Sequence, residues 1–465
     1  MYKKSLLKFL NLFFILLAIY AVFIFSQKTS LFDANKIVSD SVLKTKKFDT
    51  DIKQISLNND LKAWFLAENS APIVALDFCF QKSGYAFDEE GKQGLALLAS
   101  EILKYGAGEF DHQTYQDLIE QNAISIDFDV SDDAFVVSMT TPTENMKLAF
   151  DILKAVLSAP HLKENHIQIV KTQQLTALKM QNENPEKALA NKVRKVFYGT
   201  HPLGHQALGI KQDIEKLSEK DLRTFYQKHF AKDNLLIALV GAISEDEAKT
   251  VLEDLFSSIQ TTSEIEDLPP FEGNYVFAEQ NVERDIPQVL AHFIAKGTTR
   301  LAKDFYPLYI ANEVFGGSGL SSRLNLRARE KEGLTYGAYT YLTTKEETPS
   351  ISGGFSTSKE NYEKMRAILF EEWQKMGEFG ITQTEFDTVK NNMLTSFNLR
   401  FTSLSDISSQ LLYMQKEHLG MDFLQKRNEY VRQVTLDEVN QAAKKYFTDM
   451  PSVITLGNNT KNKGE

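Results

Sequence analysis

The chain has 465 residues, of which 43% are hydrophobic and 25% are charged, an ordinary composition for a globular protein of more than one domain. Its formal net charge is −10, and it has no basic stripe with interleaved aromatic residues, which argues against nucleic-acid binding. Cys79 is the only cysteine. The sequence therefore excludes an intrachain disulfide and a zinc cluster built on thiolates.

The N-terminal segment has the pattern of an export signal. Lysines at positions 3, 4 and 8 precede an apolar run from Phe9 to Phe25, and polar sequence follows from Ser26. A basic end followed by such a run directs a chain across a membrane with the basic end held inside. The run is at the short limit for a spanning helix, so a cleaved signal peptide and an uncleaved signal anchor both stay open for residues 1–28. Either alternative predicts a periplasmic protein, soluble or anchored to the inner membrane.

Part of the sequence is duplicated, with a helix start, a helix and a strand in each copy. The first copy has Ser218, Asp221 and the strand Leu235–Gly241, and the second has Thr435, Glu438 and the strand Val453–Gly457. In both copies a hydroxyl residue is followed three positions later by an acid. This spacing predicts a capping box at a helix N-terminus.

A second repeated unit is a strand, a short polar turn and an amphipathic helix. It covers Ala134–Thr140 with Asn145–Ser158, and again Ser350–Thr357 with Lys359–Trp373. Two repeats in the same order predict two homologous domains, at residues 50–260 and 275–460. Residues 261–274 contain two adjacent prolines and no sustained apolar period, which is typical of a linker.

Each predicted domain mixes the strand period with the helix period. Apolar residues occupy every second position from Val74 to Phe80 and from Val289 to Ala295, which predicts strands with one buried face. A helical spacing follows at Leu95, Leu98, Ala99, Ile102 and Leu103. Because strands and helices come in unequal runs, we predict an α+β fold in which each domain is a mostly antiparallel sheet with helices packed on one face.

The segment Gly94–Glu101, which follows a strand and a turn flanked by glycines, resembles the first-domain signature of the pitrilysin/insulinase-type peptidases, the inverted zincins. Active members of that family carry H-x-x-E-H on this helix. In this chain the three functional positions hold Leu97, Ser100 and Glu101. Zinc catalysis needs two imidazoles on one helical face, a carboxylate that activates water and a third anionic ligand. Leu97 has no lone pair, and Ser100 is not a carboxylate.

The resemblance also implies a third zinc ligand, a glutamate on a later helix of the same domain. The matching segment, His166 to Asn182, contains no aspartate or glutamate. We therefore expect a degenerate zinc motif, no metal in this chain, and zinc in a partner subunit.

The remaining histidines do not suggest another metal site. His201 and His205 are four positions apart, but Pro202 between them argues against a shared helical face, and the loop resembles one common in the family. The other histidines are scattered along the sequence and lack metal-ligand spacing: His112, His161, His166, His229, His292 and His418.

The second domain keeps more of the family pattern. Phe315–Leu324 resembles the family's glycine turn into a helix, and Arg329 and Tyr336 follow. The glycines lack the G-K-[ST] of a phosphate loop and indicate a tight turn into a helix. Gly333 is expected to end that helix and to let the chain turn into the strand that presents Tyr336. In the family, an arginine near a helix end and a tyrosine on the next strand hold the substrate carbonyl and stabilise the oxyanion. A guanidinium and a phenol suit that task because both donate hydrogen bonds. The alternative is an ordinary helix-end charge and a tyrosine ring in the core.

Some bacterial members of the family are heterodimers in which one chain has H-x-x-E-H and the other has the Arg/Tyr pair. This sequence resembles the second kind. The resemblance implies a catalytic-complement subunit that binds extended peptide substrates at a sheet edge together with a homologous H-x-x-E-H partner. The alternative is a purely structural relative without a catalytic role.

Overall fold

The computed structural model describes residues 51–457. The predicted signal segment, residues 1–28, lies outside the described residues. Within the described range, no helix combines the length and apolarity needed to cross a membrane. We refer to residues 51–260 as the first half and to residues 275–457 as the second half.

Strands form two sheets, one in each half. The first sheet contains β1 (Lys53–Ser56), β2 (Lys62–Ala67), β3 (Ile73–Gln81), β4 (Ser125–Val130), β5 (Ala134–Pro142) and β6 (Leu235–Gly241). The second contains β7 (Gln280–Val282), β8 (Gln288–Lys296), β9 (Thr335–Thr343), β10 (Ser350–Ser358) and β11 (Ser452–Leu456).

The two sheets have the same topology apart from one added edge strand. The first runs β1-β2-β6-β3-β5-β4 and the second runs β7-β11-β8-β10-β9. In each sheet one pair is parallel, β2 with β6 and β7 with β11, and the other pairs are antiparallel. The equivalent strand orders confirm the duplication predicted from the two repeated units.

The α-helices of the first half are α1 (Leu95–Ile102), α2 (His112–Gln121), α3 (Met146–Ser158), α4 (Glu164–Glu183), α5 (Pro185–Tyr198), α6 (Lys211–Ile214), α7 (Glu219–His229) and α8 (Glu245–Leu255). Those of the second half are α9 (Phe305–Asn312), α10 (Tyr362–Phe379), α11 (Gln383–Ser396), α12 (Leu404–Lys416), α13 (Phe423–Gln433) and α14 (Leu436–Tyr446). The predicted capping boxes are confirmed at Ser218 for α7 and at Thr435 for α14.

Each half packs helices of its own on one face of its sheet, as the pattern predicted. In the first half the apolar face of α1 lies in one core with β3 and α7, and Leu98, Ala99 and Ile102 are fully buried. In the second half the fully buried Trp373 of α10 packs beside Phe293 of β8 and Phe447. The α+β prediction is confirmed.

The prediction that β3 has only one buried face is wrong. Ala75, Asp77 and Cys79, on the other face, are also buried, because α12 of the second half covers them. Ser408 on α12 donates a hydrogen bond to the Asp77 carboxylate, which also accepts one from Ser138. Burial raises the pKa of Asp77, although these hydroxyl donors oppose the shift.

The cover is reciprocal, because α5 of the first half packs on the second sheet. Leu189 and Val193 of α5 form a small core with Ile454 and Leu456 of β11. An ion pair of 2.6 Å between Lys416 and Asp133 also joins the two halves. Each sheet is therefore a layer between its own helices and one helix of the other half.

The segment between the halves contains no helix or strand from residue 261 to residue 279. It contacts the first half, where Asp267 pairs with Lys82 and the carbonyl of Pro269 lies 2.9 Å from Nε2 of His201. The domain limits at 50–260, 261–274 and 275–460 stay predictions.

Candidate functional site

The residues of the predicted degenerate zinc motif lie on α1 and at its end, where neighbouring groups engage their side chains. Ser100 is fully buried and its hydroxyl donates to the backbone carbonyl of Leu97 at 2.9 Å. Leu97 is half-buried. Glu101 is paired with Lys104 at 3.1 Å. No group of three or more histidine, cysteine or acidic side chains within residues 51–457 is arranged to hold a metal ion.

A buried carboxylate holds the start of this helix. Asp88 accepts hydrogen bonds from the backbone N–H groups of Gly94 and Ala96, at 2.7 and 2.9 Å. Such acceptance satisfies donors that a helix N-terminus otherwise leaves free. Burial nevertheless raises the pKa of Asp88 to about 7, against the effect of these backbone donors.

Histidines that are scattered along the sequence lie close together in the fold. The rings of His112 and His166 both pack against Tyr105, with centroid distances of 4.7 and 5.1 Å. His161 lies nearby, with Nε2 at 2.8 Å from the carbonyl of Gly108. Burial, followed by the neighbouring positive charges, lowers the pKa of His166. Chain folding brings these residues together across α2 and α4, which no local spacing reveals.

His201 and His205 occupy a tight turn, as their spacing around Pro202 predicted. Residues Pro202–Gly204 form one turn of 3-10 helix, and Nδ1 of His201 accepts a hydrogen bond from the N–H of Leu203 at 3.2 Å. Nδ1 of His205 lies 3.3 Å from the carbonyl of Tyr85. Both rings therefore contact the backbone.

Arg329 lies near the end of a π-helical segment, Asn325–Lys331. Gly333 follows with φ of +62°, a left-handed conformation that suits glycine, and its N–H donates to the carbonyl of Arg329 at 3.2 Å. The chain then enters β9, where Tyr336 is the second residue. The prediction that Gly333 ends the helix before a strand carrying Tyr336 is confirmed.

Both side chains of the predicted pair point into solvent. Tyr336 is 82% exposed, so its ring does not lie in the core, and Arg329 is also exposed. Within residues 51–457, no side-chain hydrogen bond or ion pair engages the guanidinium of Arg329. Its neighbours differ: Arg323 forms a bidentate pair with Glu385 at 2.6 and 2.7 Å, and Arg327 pairs with Glu371 and Glu372.

A buried asparagine that the sequence analysis missed ties the Arg329 segment to β9. Asn325 is 2% exposed, and its amide nitrogen donates to the carbonyls of Ala338 and Gly319 at 2.6 and 2.8 Å. Its amide oxygen accepts from the N–H of Ala338 at 3.0 Å. One side chain thus fixes the helical segment and the strand relative to each other. A single asparagine in a helical stretch gives no sequence signal for this role.

A β-bulge at the start of β9 turns Tyr336 outward. The pairing of β9 with β10 shifts between Phe355 and Thr357. The hydroxyl of Thr335 donates to the carbonyls of Ser356 and Gly337, at 2.7 and 2.9 Å, and fills the gap in the ladder. Bulges re-aim side chains at the rims of sheets. The backbone conformation at the bulge therefore accounts for the exposure of the Tyr336 side chain.

The glycine turn brings the preceding helix close to β9. Gly316 lies so near Thr340 that a Cβ on this glycine would come within 2.6 Å of the threonine hydroxyl. Glycine is therefore needed here for close packing of the two elements.

Two models of one peptidase family match the chain. The model described as "Insulinase (Peptidase family M16)" matches residues 66–210, and the model described as "Peptidase M16 inactive domain" matches residues 216–393. The chain belongs to the M16 peptidase family. This confirms the predicted resemblance, since the pitrilysin/insulinase-type peptidases are this family.

The curated relatives align with this chain over most of their own length. "Non-peptidase homolog YmxG" of Helicobacter pylori is 27% identical over 365 residues, which are 78% of this chain and 84% of the relative. "Uncharacterized zinc protease YmxG" of Bacillus subtilis is 26% identical over 313 residues, or 66% of this chain and 74% of the relative.

Solved structures support the fold. A "peptidase M16 inactive domain" from Pseudomonas fluorescens superposes with a TM-score of 0.82 at 23% identity, covering 89% of this chain and 99% of that chain. The assignment of Leu97, Ser100 and Glu101 to the zinc-motif positions stays a prediction.

Proposed function

We propose that this chain is the zinc-free complementary subunit of a heterodimeric zinc metallopeptidase. A homologous subunit with an intact H-x-x-E-H motif would hold the zinc ion, and this chain would add Arg329 and Tyr336 to the peptide-cleaving site. The observation that carries the proposal is a contrast. These two side chains are exposed and, among residues 51–457, form no side-chain hydrogen bond or ion pair, whereas the buried Asn325 anchors the backbone that presents them.

The residues at the zinc-motif positions of this chain do not fit a zinc ion. Leu97 has no donor atom, the Ser100 hydroxyl is buried against the backbone, and Glu101 is one carboxylate where two imidazoles and further ligands are needed. The proposal therefore assigns no metal chemistry to this chain.

Arg329 and Tyr336 are suited to hold a carbonyl oxygen that becomes negative during hydrolysis. The guanidinium stays charged at any physiological pH, and the phenol donates one hydrogen bond. Donors that are already fixed in place stabilise such an oxygen without reorganising during the reaction. Asn325 and the bulge at Thr335 would provide that fixed placement.

A second candidate is a structural relative that has lost all chemistry. The name of the Helicobacter pylori relative, "Non-peptidase homolog", favours this alternative. The exposed Arg329 and Tyr336 favour the composite site, because a purely structural subunit has no need to keep two such side chains in solvent on a rigid support.

The deciding experiment mixes this chain with an M16 homologue from the same genome that carries H-x-x-E-H, and follows cleavage of a fluorogenic peptide. Each chain alone should be inactive and the mixture active, with zinc bound to the partner by elemental analysis. Full activity of the partner alone, or stoichiometric zinc in this chain, would contradict the proposal.

We also propose a periplasmic location, based on the basic and apolar N-terminal pattern. A fusion of alkaline phosphatase after residue 50 should be active, since that enzyme folds only outside the cytoplasm. An inactive fusion together with a fluorescent cytoplasmic reporter at the same position would show the opposite topology.

A further inference from the structure

A cavity lies where the two halves meet the segment between them. Its volume is about 620 Å³, within the usual range for sites that bind small molecules. The first half contributes residues at the end of β3 and before β6, the segment between the halves contributes residues from Ser263 to Pro270, and the loop between β9 and β10 contributes Glu347. We call it the junction cavity. Among residues 51–457, those that line it include none from α1 or from the segment Asn325–Tyr336.

Four carboxylates line the junction cavity, and they come from separate parts of the chain. Asp133 lies in the turn between β4 and β5, and Asp233 lies just before β6. Asp267 belongs to the segment between the halves, and Glu347 follows β9. Among the described residues of the lining, Lys82 is the only cationic side chain, and it pairs with Asp267. The lining is therefore negative, which favours a cation over a phosphate or carboxylate ligand.

The carboxylate of Glu347 lies open at the mouth of the cavity. Lys345, two positions earlier, forms an ion pair with Asp132 and so holds this loop against the turn between β4 and β5. Glu347 itself is exposed, and within residues 51–457 no hydrogen bond or ion pair engages its carboxylate. A cation bound at the mouth can therefore pair with Glu347 without displacing another partner.

A buried amide lines the inner end of the cavity. Asn234 is 7% exposed, and its Nδ2 donates to the carbonyls of Gln81 and His229 at 2.7 and 2.9 Å. Because a carbonyl only accepts hydrogen bonds, these two partners fix which end of the amide is the nitrogen. The amide oxygen Oδ1 is buried, and no donor among residues 51–457 reaches it. Buried acceptors are nearly always bonded, so this oxygen lacks a donor that a ligand can supply.

The rest of the lining is largely apolar, and it suits methylene groups. These side chains are Phe87, Leu203, Ile265, Leu268, Pro269 and Pro270. A metal ion does not fit, because no group of three or more histidine, cysteine or acidic side chains in the described part of the chain is arranged to hold one. An alkylammonium ion fits better, since each ammonium group carries three N–H donors on an apolar stem.

We propose that the junction cavity binds a small organic cation in which methylene groups join at least two ammonium groups, the chemistry of polyamines. One ammonium group would donate to Oδ1 of Asn234, the other would pair with Glu347, and the methylene groups would pack on the apolar lining. The bound cation would join the two halves, because the walls of the cavity come from both. This inference goes beyond the proposed function and does not depend on it.

The test is calorimetric titration of the full-length chain with hexamethylenediamine at low ionic strength. The diamine should bind at one site with a Kd of about 1 mM or tighter. It should also raise the melting temperature, because it binds only the folded chain. Hexamethonium is the matched control ligand, with the same carbon chain and the same two charges but no N–H donors. It should bind at least about tenfold more weakly, because charge-assisted hydrogen bonds are lost.

Three variants locate the site. Glu347→Gln removes the charge at the mouth and should weaken binding of the diamine about tenfold. Glu346→Gln changes the neighbouring exposed glutamate, which does not line the cavity, and should leave binding unchanged. Leu268→Trp keeps every charge but fills the cavity, and should weaken binding by at least about tenfold. Circular dichroism checks that each variant is folded, and if Leu268→Trp is not, the two glutamate variants and hexamethonium decide.

Several results would overturn the inference. No binding at millimolar diamine, or equal binding of hexamethonium, would exclude a site that needs N–H donors. Equal weakening in Glu346→Gln and Glu347→Gln would show only a general attraction between cations and an acidic protein. Displacement of the diamine by an equal concentration of Mg²⁺ would indicate an inorganic cation. Displacement by a much lower concentration of tetralysine would show that a segment of another protein, and not a polyamine, occupies the cavity.

Discussion

Helix α1 in the first half carries the predicted degenerate zinc motif, and the segment from Asn325 to Tyr336 in the second half carries the predicted Arg/Tyr pair. In the first segment the side chains bond to their neighbours. The hydroxyl of Ser100 is buried and donates to a backbone carbonyl, and Glu101 is paired with Lys104. In the second segment the supporting Asn325 is buried, whereas the side chains of Arg329 and Tyr336 are exposed. We propose that the residues of the first segment now serve only packing, whereas the second segment still presents side chains for catalysis.

The difference teaches where to look for function in a relative that lacks its signature motif. Where a site has been lost, we expect its side chains to be buried or paired with neighbouring groups. Where a site is retained, we expect exposed polar side chains on a backbone that is held by buried hydrogen bonds. Four changes test whether this contrast is real, from the largest expected effect on stability to the smallest, with the composite site last.

The first change places a glutamate at position 100 of α1, where the H-x-x-E-H motif of active family members has one. Ser100→Glu should lower the free energy of unfolding by about 3 to 5 kcal/mol, because the site would bury a carboxylate without a cation to pair with it. Urea denaturation followed by circular dichroism measures the change. Glu101→Gln is the matched control and should cost less than about 1 kcal/mol, as it removes only a partly exposed ion pair. A Ser100→Glu variant as stable as the unmodified chain would mean that this position of α1 can still accommodate a carboxylate.

The second change removes the support of the second segment. Asn325→Ala leaves the N–H and carbonyl of Ala338 without their buried partner and should cost about 2 to 3 kcal/mol in unfolding free energy. Hydrogen exchange at the start of β9 should rise at the same time. Asn392→Ala, on the exposed side of α11, should have little effect. Unchanged exchange in Asn325→Ala would show that the segment is held by other contacts.

The third change concerns pH and the start of α1. The carboxyl of Asp88 has a folded-state pKa of about 7, raised from its ordinary value. A raised acid pKa stabilises the fold below the unfolded value, and that stability is lost as pH rises through the folded value. The unfolding free energy should therefore fall by about 1 kcal/mol between pH 6 and pH 8.

Asp88→Asn keeps an oxygen that can accept a backbone hydrogen bond and removes the titration. Its stability should be less dependent on pH than that of the unmodified chain over this range, as measured by thermal melting in matched buffers. Equal pH profiles for both proteins would indicate that Asp88 stays ionised under its backbone donors.

Local patterns predicted local structure well. The capping boxes at Ser218 and Thr435, the buried face of α1 and the turn at Gly333 all follow from neighbouring residues. The burial of Asp77 does not, because its partner Ser408 is 331 positions away and on the other half. The histidine cluster and the role of Asn325 were also missed, since both depend on contacts between separate elements.

The candidate site was predicted as two residues, Arg329 and Tyr336, through family resemblance. The structure adds the bulge that exposes one and the amide that positions both. Neither feature has a sequence pattern of its own, since a threonine and an asparagine in these places are common. Whether the pair is used in catalysis stays a prediction.

The most direct test of the composite site measures turnover by the reconstituted pair of subunits. Arg329→Ala or Tyr336→Phe in this chain should lower kcat about 10² to 10³-fold, the usual effect of losing one donor to a developing oxyanion. Arg432→Ala, an exposed arginine on α13, should leave kcat unchanged, and association of the two chains should be equal for all variants. Full activity in the double variant Arg329→Ala, Tyr336→Phe would contradict the composite site and leave the structural role.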